Sequence, residues 1–566
     1  MSKFLFIVVL LTAAFFRLYG LNWDQDQHLH PDERFLTMVA TSMKWAGNYL
    51  DTSTSLLNPH NIGYGFYVYG TFPVIVVKSI AESLKLGDYN NLTLVGRFIS
   101  GLLDLGTVIL VFLISRRLFK STSAALIAMF VYAISVLPIQ LSHYFAVDTF
   151  LVFFLVLSFY FLITGRYLFL GIAYGLALSS KISAAVFAPI IAVHFLRELI
   201  ASPKRLRLIG FAIIFSLICL FTIRLAYPYA FNGFRINPLL LTNMKQLKDL
   251  SRPDIFFPPV TMWINIRPGL FPLENMIYWG LGLPLGIISA AALFFCLLKY
   301  YRHPYVLFTV SWIILLFVYQ SLQYGQPMRY FWPIYPFIAI TSGTFLYQLF
   351  NINKLLFTVT AVLTLIWPVA FISIYSRPHS RVTASQWIYS HIPLGSKISC
   401  DHWDDCLPLG LVGYPPPNTY QVEEFPMFGA DSDKWSIMNE KLAKVDYIVL
   451  SSNRLYGSVP SAPQRYPVST RFYEYLFSNK LGFTPIAQFT SRPNIKLPGF
   501  KYCLNPANRS YGYVSIQIQD CPLPGISFVD DYADETFTVI DHPKIIIFKK
   551  VYPVDYLSVL QPASMQ

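Results

Sequence analysis

Charge is what this sequence has least of. Only 13% of its 566 residues are Asp, Glu, Lys or Arg, while 55% are hydrophobic and the mean hydropathy is +0.48. Soluble chains carry about 25% charge, so the composition excludes a water-soluble protein over most of the length. The net charge of +13 has no basic tail or cluster behind it. Lys and Arg fall largely in short loops between apolar runs, which reads as membrane orientation rather than nucleic-acid binding. No strong repeat or low-complexity tract is present. An A-x-A-like cleavage site is missing after the first apolar stretch, where Arg17, Leu18 and Tyr19 follow instead. That stretch therefore reads as a retained span and not as a cleaved signal peptide. From Tyr375 onward no run reaches the roughly 20 residues that cross a bilayer as a helix.

What is present is a series of eleven apolar runs: Phe4–Tyr19, Leu94–Ser115, Ser123–Pro138, Phe145–Ile163, Tyr167–Ser180, Ser183–Leu196, Leu208–Ala226, Ile277–Leu298, Tyr305–Leu322, Phe331–Leu349 and Leu355–Ile374. The fifth and sixth are short and flank Lys181, so a broken or re-entrant hairpin is an alternative for that pair. Alternate loops are basic: Lys3; Arg116, Arg117 and Lys120; Arg166; Arg197, Lys204, Arg205 and Arg207; Lys299 and Arg302; Lys354. The positive-inside rule puts these and the N-terminus in the cytoplasm. The long loops 22–93 and 227–276, and everything after Tyr375, are expected outside. The chain is thus expected to be a polytopic α-helical membrane unit, 1–374, followed by an extracytoplasmic α/β domain, 375–566.

In that second unit helix and strand patterns alternate. Helices are expected at Val382–His391, Lys434–Lys444 and Thr470–Asn479. Strands are expected at Lys397–Cys400, Tyr447–Ser451, Pro485–Phe489, Val514–Ile518, Thr536–Ile540 and Lys544–Phe548. Cys219 and Cys296 lie inside runs and read as packing residues. Cys400, Cys406, Cys503 and Cys521 allow three pairings, of which Cys400–Cys406 and Cys503–Cys521 are the local ones. An oxidising compartment would favour disulfides, and free buried thiols are the alternative. Two Asn-x-Ser/Thr sequons, at Asn91 and Asn508, are too common to place the source.

The first outer loop opens with Asp24, Asp26, His28, His30, Pro31, Asp32, Glu33 and Arg34. Pro31 suits a helix start, and acids in the first turn favour its positive end; this alone would account for Asp32 and Glu33. A second polar stretch holds Gln140, His143 and Asp148, the last at the head of an apolar run, where an ionisable group is a functional-site hypothesis; an interfacial helix cap is the alternative. Lys181, Arg224, Arg267 and Arg329 bring cations to the same side. Each alone would pass for a snorkelling residue. Together the acids could deprotonate a hydroxyl and the cations could hold a phosphate.

The order of these motifs resembles the GT-C glycosyltransferases, in particular the family 39-like group that includes protein O-mannosyltransferases and lipid A aminoarabinose transferases. The resemblance is carried by Asp32-Glu33 after the first span, interfacial helices near Phe35–Ala46 and Tyr64–Leu84, Asp148, Gly175–Lys181 and Arg329–Pro333. It implies an inverting transfer of a sugar from a polyprenyl phosphate to an acceptor hydroxyl on a protein, glycan or lipid. Asp32 would be the base, with Glu33 and Asp148 orienting groups around it. Lys181, Arg224 and Arg329 would bind the donor phosphate, and His30, His143 and Arg267 would line the acceptor side. Asp24 and Asp26 are alternative bases. Some members of the class use a divalent metal and others do not. His28, His30 and His143 lie near carboxylates, and Asp32, His143 and Asp148 form the candidate ligand set. A transporter or lipid flippase is the rival reading, although no second broken segment marks the paired halves common in transporters.

Overall fold

The computed structural model describes residues 2–429, 434–505 and 512–560. Each expected span coincides with a helix. The helices are Ser2–Leu18, Tyr89–Phe119, Thr122–Ala133, Val147–Thr164, Tyr167–Ser180, Ala188–Ala201, Arg205–Ala226, Leu283–Lys299, Pro304–Ser321, Tyr335–Ile352 and Lys354–Ile372. Among the described residues six helices are long and apolar enough to cross a membrane by themselves, and a seventh span arises if Thr122–Ala133 and Val136–Ser142, bent by 58°, count as one. Tyr167–Ser180 and Leu283–Lys299 are apolar but shorter. The protein is an integral membrane protein with this helical bundle as its bulk.

The pair around Lys181 is resolved into two helices. Tyr167–Ser180 ends at Lys181, which is extended, and a 3₁₀ segment, Ile182–Phe187, leads into Ala188–Ala201. Lys181 therefore sits at a break, with its neighbours' backbone exposed to other elements. Gly70 uses that opening. Its N–H donates to the Ser180 carbonyl at 3.1 Å, and a Cβ there would lie 1.7 Å from the Ser179 carbonyl oxygen. Only glycine allows this approach of the loop that precedes Tyr89–Phe119.

That loop folds on itself. Helix Pro31–Ser42 starts four residues earlier than the expected Phe35–Ala46, and Phe72–Ser83 is shorter than the expected Tyr64–Leu84. They bury Leu36, Val39, Val74 and Val77 against Leu92 and Phe145 of the bundle. Asn91 stands in the first turn of Tyr89–Phe119; Asn508 lies outside the described residues.

The C-terminal region carries a five-stranded sheet, in the order Gln421–Glu424, Lys397–Cys400, Tyr447–Leu450, Ile545–Lys550, Phe483–Phe489. The first three run parallel, and Ile545–Lys550 is antiparallel to both of its neighbours. Helices Ser380–His391, Lys434–Lys444 and Pro467–Phe477 occupy the expected places. Both local disulfides, Cys400–Cys406 and Cys503–Cys521, are formed. Two expected strands are not strands. Tyr513–Ile518 is a 3₁₀ helix, and Glu535–Thr538 is a short α-helix whose N-terminus is capped by the Asp534 side chain. Alternation in the second segment misled because its apolar residues do not face a sheet. Ala533, Phe537 and Ile540 are buried in the same core as the membrane helices.

Candidate active site

The helix Pro31–Ser42 begins where the sequence puts it. His30 is its N-cap, accepting the Glu33 N–H on Nδ1 at 3.2 Å, and Pro31 takes the first turn. Accepting on Nδ1 requires the neutral ring, and burial lowers the His30 pKa despite the nearby carboxylates of Asp32 and Glu33. Successive positions on a helix point about 100° apart, so Asp32 and Glu33 have different surroundings.

Glu33 faces inward and is fully buried. Its carboxylate receives Nε and Nη2 of Arg97 at 2.9 and 2.7 Å, and the Phe145 N–H at 2.8 Å. The same guanidinium binds both oxygens of Asp24, at 2.9 and 2.8 Å, and the Leu21 carbonyl. Burial would raise the Asp24 pKa, but the Arg97 charge and hydrogen bonds outweigh it and hold the group low. Asp24–Arg97–Glu33 is thus a buried ion cluster tying the loop after the first helix to the helix Tyr89–Phe119. Of the two alternatives to Asp32, Asp24 is engaged by Arg97. Asp26 sits in a left-handed turn, its N–H on Asn22 Oδ1.

Asp32 faces outward. Oδ2 lies 2.5 Å from Nη1 of Arg329, and burial together with the nearby Asp32 charge raises the Tyr69 pKa. Beside it, Lys181 Nζ donates to Asp148 Oδ1 at 2.7 Å and lies 4.8 Å from the Tyr330 ring centroid. The four charged side chains retain 26% (Asp32), 21% (Arg329), 18% (Lys181) and 12% (Asp148) of their exposure, enough to meet a ligand. Burial would raise the Asp32 pKa, but the charge and hydrogen bond of Arg329, with Lys181 beside them, hold it well below the usual carboxylate range. The site is therefore two crossed acid–base pairs, with His30, Tyr69 and Tyr330 around them.

Four expected members are elsewhere. Arg224 spends its guanidinium on the Leu50 and Pro228 carbonyls, fastening the loop 22–88 to the end of Arg205–Ala226. Arg267 is exposed, in the segment 227–276. His143 is buried, its ring nitrogens on the Ile139 and Tyr19 carbonyls and its face stacked on Tyr375 at 3.8 Å. His28 contacts Asn90 and Thr93. The ligand set Asp32, His143, Asp148 is consequently not assembled, and among the described residues no group of three or more His, Cys, Asp or Glu is placed for a metal ion. With a cation already on each site carboxylate, the donor set does not fit a divalent metal.

Sequence reasoning missed Arg97, Tyr69 and Tyr330. Arg97 had a legible signal, a lone cation just inside an apolar run, where a buried charge must find partners. The tyrosines are two among 37 and carry no such mark.

Residues 7–232 match the model of the dolichyl-phosphate-mannose-protein mannosyltransferase family. No curated protein sequence matches the chain. Among solved structures, the archaeal oligosaccharyltransferase AglB from Archaeoglobus fulgidus, in complex with an inhibitory peptide and a dolichol-phosphate, has a TM-score of 0.50 at 13% identity, covering 83% of this chain and 72% of that one. ArnT from Cupriavidus metallidurans bound to undecaprenyl phosphate has a TM-score of 0.43 at 16% identity, covering 68% and 72%. The same protein in the apo state gives 0.44 at 14%, covering 99% and 100%. The likeness to the oligosaccharyltransferase shows the fold: this chain has the GT-C glycosyltransferase fold that its motifs resemble.

Proposed function

We propose that this protein is a membrane glycosyltransferase that takes a sugar from a polyprenyl-phosphate donor and passes it to an acceptor hydroxyl of a protein, glycan or lipid. The matched mannosyltransferase stretch contains Asp32, Asp148 and Lys181. The observation that carries the reading is the convergence on those residues of Arg329, from 297 positions away, into one partly open cluster. The dolichol-phosphate in the similar oligosaccharyltransferase supports the donor class.

In this reading the acceptor oxygen attacks the anomeric carbon, the bond from that carbon to the phosphate oxygen breaks, and the configuration inverts. The acceptor proton passes to Asp32. The departing polyprenyl phosphate keeps the bonding electrons, and Arg329 and Lys181 stabilise its charge. Arg329 is held by Asp32 and Lys181 by Asp148, so a phosphate arriving at these cations competes with the carboxylates. Donor binding thereby loosens Asp32 from its partner and turns it into a better base. Glu33, through Arg97, positions the helix start rather than touching substrate.

We further take 1–374 and 375–566 as the two units, with eleven spans, a cytoplasmic N-terminus and the second unit outside. The two disulfides of that unit support an oxidising compartment. Purified protein offered a panel of polyprenyl-phosphate sugars should transfer at least one of them, and Asp32→Asn should slow the transfer at least about a hundredfold. Vectorial lipid movement in proteoliposomes without sugar turnover would instead favour a flippase.

A further inference from the structure

The C-terminal region reaches into the site. Asp534, 1% exposed, accepts the Met328 N–H on Oδ2 at 2.5 Å. Its Oδ1 accepts the Thr536 N–H at 3.0 Å, and its own N–H donates to Asn275 Oδ1 at 2.7 Å. Met328 immediately precedes Arg329, so one carboxylate grips the backbone of the segment that presents the phosphate-binding cation. The grip has a rigid footing. Ala533, Phe537 and Ile540 are buried among the membrane helices, and Gln140 donates to the Phe537 carbonyl at 2.7 Å and to Asp541 at 3.0 Å. The Tyr375 hydroxyl also donates to Asp541, at 3.0 Å.

We infer that Asp534 is a positioning residue for Arg329, so that the C-terminal region completes the transfer site instead of only covering it. The inference rests on the reading of Arg329 as the donor-phosphate residue. Asp534 touches no reacting atom. It fixes where the guanidinium stands between Asp32 and the donor, through a charge-assisted hydrogen bond to backbone that a neutral side chain cannot replace. An aspartate is needed because two N–H groups must be accepted at once.

Asp534→Asn separates the two duties. Asparagine retains one oxygen for the Thr536 N–H and presents an NH₂ group, which cannot accept, to Met328. The full chain in nanodiscs is to be compared with Asp534→Asn and with Asn265→Ala. The second substitution cuts another tie to the C-terminal region, Asn265 Nδ2 to the Ser461 carbonyl at 2.5 Å. Loss of a buried charge-assisted bond predicts amide exchange across 327–331 faster by about tenfold in Asp534→Asn and unchanged in Asn265→Ala. The KM for the lipid donor should rise by about tenfold with kcat at saturating donor held within about twofold. Asn275→Ala, which releases Asp534 from the membrane side, should shift both readouts in the same direction even if Asp534→Asn fails to fold. Exchange across 327–331 that stays at the wild-type rate in both variants overturns the inference whatever the sugar chemistry. Absent transfer by the wild type would instead sink the functional reading and leave the exchange result to decide this one.

Discussion

Asp32 and Arg329 are 297 residues apart in sequence and 2.5 Å apart in space. One belongs to the loop after the first helix, the other to the segment before Tyr335–Ile352, and their meeting brings distant parts of the chain into one site. The neighbouring acid, Glu33, meets a different arginine and is sealed. This division between an accessible pair and a buried one leads to distinct expectations.

The buried cluster should govern stability. Removing one partner from a buried ion pair leaves an uncompensated charge and typically costs about 3–5 kcal/mol. Arg97→Ala strands two carboxylates, so it should lower the melting temperature in detergent more than Glu33→Gln, and both more than Asp32→Asn. Equal melting of Arg97→Ala and wild type would contradict the cluster.

The accessible pair should govern turnover. Asp32→Asn keeps the shape but cannot take a proton, and a positioned base contributes about 10²–10⁴-fold. The variant should insert normally, bind donor and turn over at least about a hundredfold more slowly. Near wild-type turnover would remove Asp32 from the base role.

Arg329→Ala should weaken donor binding, and Arg329→Lys should recover it only in part, because lysine lacks the bidentate fork. Lys181→Ala should weaken the donor as well. Asp148→Asn frees Lys181 from its carboxylate and should not weaken donor binding. Binding of polyprenyl phosphate to the purified variants is the measurement, and tight binding by Arg329→Ala would exclude the guanidinium from the phosphate subsite.

Much of this was legible in the sequence, for a physical reason. Apolar runs must be helices in a bilayer, since no water is there to satisfy the backbone, so every expected span met a helix. The strands Lys397–Cys400 and Tyr447–Leu450 were equally plain. Thr536–Ile540 was not, because its apolar residues answer to membrane helices far away in sequence. Position next to a charged motif also failed to reveal partnership. His143, Arg224 and Arg267 carry the right chemistry, but their directions are set by packing. His143 turns to backbone carbonyls, and Arg224 to the carbonyls of Leu50 and Pro228.

Orientation can be checked by protease. If 375–566 lies outside, protease added to cells with a permeable outer layer should remove it, and non-reducing mass spectrometry should recover Cys400–Cys406 and Cys503–Cys521 as linked peptides. A C-terminal reporter that is active only in the cytoplasm would refute this orientation.

The pH dependence should separate the free protein from its donor complex. With Arg329 beside it, Asp32 titrates well below the usual carboxylate range. A depressed carboxylate stabilises the fold at every pH above its unfolded value of about 3.9, and that contribution fades as pH falls below it toward the folded pKa. The acid limb of kcat/KM reports the free protein and should therefore lie below about pH 4. Once a phosphate competes for Arg329, the strongest lowering influence on Asp32 weakens while burial, which raises its pKa, remains. The acid limb of kcat, which reports the complex, should then stand at higher pH than that of kcat/KM. Arg329→Ala removes the lowering partner beforehand, so its kcat/KM limb should move up toward that of kcat. Profiles of both parameters for wild type and Arg329→Ala test the exchange: limbs that coincide in the wild type, or a kcat/KM limb that Arg329→Ala leaves in place, would show that the donor does not take the arginine from Asp32.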